Sequence, residues 1–427
     1  MKSKAIFLSL LLALFALAGC GSKGSSSSSS PANGSVRLIN ASTSYASLDM
    51  TASGSTLASA VVTGSAGTAT AIAANTYTFA LSLTGSGIPA AQQSLLISAG
   101  VNYALVAHTV AGELQLTAFT EIEPAPAVGD AKIRISNLAL QDSGGVDVYM
   151  STNGGTLANA SALVTNASTS GYFEIPKGTY HIWVTGVGNK ADLRLDLPSV
   201  VLADQQIQTL ILTATPGGVL VDGWLLAQQA AVVAQTNPSA RIRVAANIAA
   251  LGTVVATANS VPLDTSTLVS PALDSYAIVP AGPLTISVVV NGAAIDVPNL
   301  SAAPGADLTL LAVGTSASPR FYLLSDDNRL PLGGKAKLRL VDGVNGLAGN
   351  ISLTVDANLV AQNVAFGSAS TAAAVSALGN VSELQTFAQG NVQLTPPYSL
   401  TLQSQGVYSV FMLGDNTAPA QIVRADR

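Results

Sequence analysis

Pro176-Lys177-Gly178-Thr179-Tyr180-His181-Ile182-Trp183-Val184-Thr185 decides the fold class. A Pro-x-Gly turn feeds a run in which Tyr180, Ile182 and Val184 point one way and His181, Trp183 and Thr185 the other. That two-residue period belongs to a strand with one buried face. Outward from it, Val146 to Met150, Leu193 to Leu197, Ile207 to Thr213 and Val219 to Leu226 repeat the signal between turn residues. Their spacing of about 8 to 12 residues is that of an antiparallel sandwich. Only Ala227 to Ala234 reads as locally helical.

The same pattern occurs four times. Val36-Arg37-Leu38-Ile39, Ile133-Arg134-Ile135-Ser136, Ile242-Arg243-Val244-Ala245 and Leu338-Arg339-Leu340-Val341 follow one another at 97, 109 and 96 residues. A later string begins at Tyr77, Tyr180, Leu284 and Tyr398, each after a turn rich in Pro, Gly or Asn. Pro124-Ala125-Pro126, Asn237-Pro238 and Gly333-Gly334 mark the boundaries. The chain therefore reads as all-β, with tandem antiparallel immunoglobulin-like β-sandwich domains over 35–126, 131–235, 239–332 and 335–427, and with Tyr77, Tyr180, Leu284 and Tyr398 inward. Four tandem units predict a string of beads.

Ahead of them, Ala5 to Gly19 is an apolar run of fifteen residues behind Lys2 and Lys4. It is shorter than the ~20 residues of a spanning helix. With Leu17-Ala18-Gly19 directly before Cys20, the only cysteine, it resembles a bacterial lipoprotein signal. The resemblance implies removal of residues 1–19, acyl groups such as palmitate on Cys20, and a lipid bilayer as partner through them. Gly21 after the cysteine implies the outer membrane of a two-membrane envelope. Residues 20–34, with GSKGSSSSSSPANG after Cys20, carry too little apolar surface to fold and read as a flexible tether. Its fully extended reach is about 50 Å.

Charged residues are 10% of the chain and the net charge is −5, against a usual charged share of about 25%. With no basic run, the footprint of nucleic-acid binding is missing. A membrane β-barrel would also alternate, but 5% aromatics supply no interfacial girdles and the fourfold repeat suits separate sheets.

In unit 2, Arg134-Ile135-Ser136, Val146-Asp147-Val148-Tyr149 and the Pro176 to Tyr180 turn follow each other in an order that resembles domain of unknown function 4397. Unit 1 matches through Arg37-Leu38-Ile39-Asn40 and Leu48-Asp49-Met50. Units 3 and 4 keep the Arg strand and the turn without a Val-Asp-Val-Tyr string. The resemblance implies an extracytoplasmic β-sandwich and brings no catalytic residues.

Arg37 with Asp49, and Arg134 with Asp147, fall between inward apolar residues and so face outward. Neighbouring strands would make each an exposed cross-strand ion pair, contributing about 0 to 1 kcal/mol. His181 and Trp183 stand where the other units carry small polar residues, which makes them candidates for contact with a neighbouring unit, a protein partner or a glycan. His108 and His181, the only histidines, lie in different units, so no histidine-based metal site forms within one unit. Asp326-Asp327-Asn328 lacks the ligand pattern of a calcium loop and reads as a solvated turn. No Gly-x-Ser-x-Gly elbow occurs. The sequence expectation is a non-catalytic cell-envelope interaction or scaffold protein without cofactor, with glycan binding or adhesion as the alternative and a polymer hydrolase behind both.

Overall fold

A computed structural model describes residues 32–152, 154–297 and 300–427. Cys20, the leader and most of the tether lie outside the described residues. Among those residues the regular structure is strand, apart from one four-residue helix at Leu140–Ser143. No described helix is long and apolar enough to cross a membrane.

Each unit is a two-sheet sandwich with one strand order. In unit 1, Asn33–Asn40 lies between Thr70–Ala73 and Asn102–Val110, with Glu113–Thr120 at the far edge. The facing sheet runs Ser55–Val62, Ser47–Ala52, Asn75–Leu83, Pro89–Ile97. Numbered within the unit, this is 4-1-7-8 over 3-2-5-6. The other units repeat it, with extra short strands at the edges. The ladders are antiparallel except for one pair per unit: the first strand runs parallel to the seventh, as in Ser35 opposite Asn102 and Lys337 opposite Val407. The immunoglobulin arrangement groups its strands as A-B-E-D and C-F-G. These units share its sandwich architecture with a strand order of their own.

Alternation builds the cores. Val36 and Leu38, Ile133 and Ile135, Ile242 and Val244, and Leu338 and Leu340 point into the core of their own unit. Tyr180 and Leu284 are buried as anticipated, and Tyr77 is half-buried, sealing its turn by donating from Oη to Ala73 O as Tyr180 does to Pro176 O. Tyr398 is different: it is 41% exposed on the edge strand Tyr398–Thr401. The fifth strand of unit 4 is Val381–Ala388, paired to Ile351–Val355, and buried Ser382 takes the tyrosine position. Pro396-Pro397 resembles the turn before the fifth strand but precedes a later one.

The segment Ala227 to Ala234 is not helical. It reverses through Gln229, which has a φ of 53°, and returns as Val232–Gln235, with Leu226 opposite Val232. Pairing wins because Trp224, Leu226 and Val232 then pack on unit 1.

The units are not beads. The sheet holding the first and seventh strands of unit 1 packs its outer face on the corresponding sheet of unit 2, through Ile39, Val106 and Phe119 against Ile211, Trp224 and Leu226. Units 3 and 4 do the same through Ala245, Leu311 and Val313 against Val341, Phe411 and Leu413. The pairs meet where Gly217 of unit 2 lies against Gly305 and Asp307 of unit 3 and Gly218 against Arg329 of the unit 3–4 connection. A Cβ at Gly218 (φ +85°) would lie 2.4 Å from Arg329 N, so no side chain fits.

Candidate functional site

The repeated arginines do face away from their own cores, yet the neighbouring unit covers them. Arg134, Arg243 and Arg339 stand directly opposite Thr209, Thr309 and Ser409 on the parallel strand, and each Nε donates to that hydroxyl at 2.8, 2.9 and 2.8 Å. Unit 1 has Ala104 at this position, and Arg37 turns to Glu121, its Nε 3.0 Å from Oε2. In the second pair the bonds are reciprocal. Arg243 of unit 3 pairs with Asp426 of unit 4, and Arg339 of unit 4 with Asp326 of unit 3 at 2.6 Å.

The cross-strand pairs expected from sequence are therefore replaced. Arg134 lies over the rings of Phe119 and Tyr172, while Asp147 sits on the opposite sheet of unit 2, buried and accepting from the N–H groups of Asn166 and Gly188. Asp49 accepts from the N–H groups of Ala60 and Gly85 and from the Thr84 hydroxyl; the Ala60 N–H first among these, against some burial, lowers its pKa. In both cases the arginine and the aspartate occupy different layers of the sandwich. Asp326-Asp327-Asn328 is no solvated turn either: Asp326 and Asn328 are buried, and Asn328 Nδ2 donates to Asp307 at 2.8 Å.

Trp183 faces outward from the unit 2 core but is only 4% exposed, covered by Leu157, Ala160, Tyr149 and Leu193. His181 stacks on it with centroids 3.7 Å apart and bonds Asp196. The cover comes from the same unit. His108 is buried against Thr117, and burial pushes its pKa down to about 4. Among the described residues no cluster of three metal-ligating side chains occurs.

What the sequence did not show is a cleft of about 630 Å³ where the units converge. Unit 1 supplies Val110 and Ala111 from a hairpin turn, unit 2 Gln141 and Asp142 from the short helix, the unit 3–4 connection Asp327 and Arg329 to Gly333, and unit 4 Lys335, Lys337, Ala372, Ala374 and Gln405. Asp142 accepts the Ala111 N–H at 2.9 Å, and its own carbonyl accepts from Leu330 N–H at 2.8 Å. Arg427 reaches in from unit 4 and donates to Asp142 O and Gly218 O, both at 3.0 Å. Burial, reinforced by Arg194 and Arg241, lowers its pKa to about 9.

Asp327 anchors the charged end. Arg329 grips it through Nε and Nη2 at 2.9 and 3.0 Å, and Lys337 Nζ lies 3.0 Å from Oδ1. Burial opposes ionisation of Asp327, but these two cations hold its pKa at about 2. Burial raises the pKa of Asp142 and lowers that of Lys337. Arg329 carries no periodic signal in the sequence, whereas Lys337 repeats the cation two residues before the arginine, as Lys132 and Arg241 do in units 2 and 3. A second clue was the carboxylate that closes the last strand in units 1, 3 and 4, Glu121, Asp326 and Asp426, which marks partners for the repeated arginines.

The fold and cleft define a multi-unit β-sandwich protein. Residues 34–149, unit 1 with the first strands of unit 2, match the family model described as "Domain of unknown function (DUF4397)". No curated protein matches the chain. Among solved structures, the Bacillus anthracis TIE protein aligns at 9% identity and a TM-score of 0.15, over 86% of this chain and 65% of that one, so the chain spans less than two thirds of its length. CBMbc, a family CBM26 module from Eubacterium rectale Amy13K solved in complex with maltoheptaose, aligns at 13% identity and a TM-score of 0.15, over 48% of this chain and 98% of the module. Likenesses at this level carry no argument about the present chain.

Proposed function

We propose that the protein is a non-catalytic, lipid-anchored envelope component that holds a partner or ligand at the junction of its four units. The observation behind this reading is the cleft itself: every unit or connection contributes to it, Asp327 is tied to Arg329 and Lys337, and among its described lining residues no nucleophile and base face each other. Such a site suits binding better than turnover. Anchoring rests on Cys20 and the residues before it. Two or more acyl chains would make membrane attachment stable.

Glycan contact is the second form of this role. Trp183 and His181 are not its surface, because the indole is covered from within unit 2. Any glycan contact uses another surface, and a glycan array tests it directly. Growth with an alkyne fatty acid tests the anchor: the wild-type chain should take up label and Cys20→Ala should not, while label on both or neither contradicts acylation at Cys20. Protease shaving of intact cells then separates an outward-facing protein, which is lost, from a periplasmic one, which survives until the outer membrane is opened.

A further inference from the structure

We infer that the four-unit cleft binds a small amphiphilic anion, its acidic head on Lys337 and Arg329 and its apolar body along Leu330 to Leu332 and Ala372 to Ala374. This inference deepens the reading of the cleft as a binding surface and does not depend on the anchor.

Charge supports the head group. Arg329, Lys335 and Lys337 line the cleft against Asp142 and Asp327, an excess of one cation in a chain whose net charge is −5. Asp327 is shared between Arg329 and Lys337. Lys337 is 9% exposed, and its one salt-bridge partner among the described residues is that shared Asp327. An ammonium has three donors, and a buried cation with half a counter-ion is poorly compensated. An incoming carboxylate or phosphate oxygen would complete it. Asp142 acts on Lys337 only at longer range, making no salt bridge to it while its oxygens accept the Ala111 N–H.

Shape supports the body. Beyond the charged end, Val110, Leu330, Pro331, Leu332, Ala372 and Ala374 offer only apolar surface. Leu332 is 74% exposed, without a role in any core. A volume of about 630 Å³ lies within the usual range for small ligands, and is too small for a folded partner.

Position favours a ligand arriving from solvent. The first strand of unit 1 runs parallel to Asn102–Val110, so the tether joins at the end of unit 1 remote from the cleft, roughly 25 Å away along the strand.

The test uses octanoate as probe, octanol as its neutral counterpart, and the full chain carrying Cys20→Ser so that no acyl group competes. By calorimetry, octanoate should saturate one site per chain and octanol bind about tenfold more weakly or worse. Lys337→Met should lose about tenfold in octanoate affinity. Leu332→Asn, on an exposed side chain that leaves folding intact, should also weaken it by several-fold. Equal binding of octanol and octanoate would overturn the head-group assignment. Unchanged affinity in Leu332→Asn would overturn the apolar wall, and no saturable binding of either probe would overturn the site. Octanoate binding in this chain together with no alkyne-fatty-acid label on the wild-type chain would remove the anchoring proposal alone.

Discussion

Asp342 shows what one residue type does at a repeated position. Units 1 and 2 carry Asn40 and Asn137 there, and each Nδ2 donates to two backbone carbonyls, those of Tyr45 and Val61 in one case and of Gly144 and Ala167 in the other. Asp342 offers an acceptor where they offer a donor. Its Oδ1 takes the Val344 N–H, while Oδ2 is buried without a partner. Burial, opposed by that N–H, raises its pKa to about 6. A folded-state pKa above the unfolded value near 4 means the protonated form is favoured by folding. This contribution is complete below pH 4 and lost as pH rises through 6. Asp342→Asn should therefore stabilise the protein by about 1 kcal/mol at pH 7, with a smaller gain at pH 5, read from urea unfolding at both values. Trp183 teaches the complementary lesson. Alternation placed it correctly on the outer face, but a side chain's face does not say what covers it, and here Leu157 and Ala160 do. Trp183→Ala should cost about 3 kcal/mol.

At the scale of the element, the Arg-bearing first strand was legible because its neighbours alternate, and so was the sandwich it builds. Its partner was not. The expected Asp147 is on the other sheet, whereas Asp426 and Asp326 come from another unit, a relation that no local period encodes. A double-mutant cycle on Arg134 and Asp147 should therefore show coupling within about 0.3 kcal/mol of zero. Arg243→Met should cost about 3 to 5 kcal/mol, because Asp426 stays buried without its cation while Asp326 keeps only Arg339. A loss under 1 kcal/mol would mean the reciprocal pairs do not hold units 3 and 4 together. The Tyr398 misalignment was detectable in principle: it lies 59 positions after Arg339, against 40, 46 and 41 between the arginine and the matching residue in units 1 to 3.

For the whole molecule, the repeat gave the number of units without their arrangement. Charged residues are scarce, yet the repeated arginines are spent inside the paired interfaces, and the sheets that carry them are apolar on both faces. A sheet apolar on both faces needs two covers, its own partner sheet and another unit. That was the readable hint of pairing: Ile39, Ala245 and Val341 sit beside the outward arginines. The cleft left no such hint, because it arises only where the two pairs meet. The central claim is that the four units close into two face-to-face pairs joined at that cleft. Small-angle X-ray scattering of residues 32–427 tests it most directly. A compact assembly of this length predicts a radius of gyration of about 21 to 25 Å, and a value above roughly 40 Å, as for four beads in line, would contradict it.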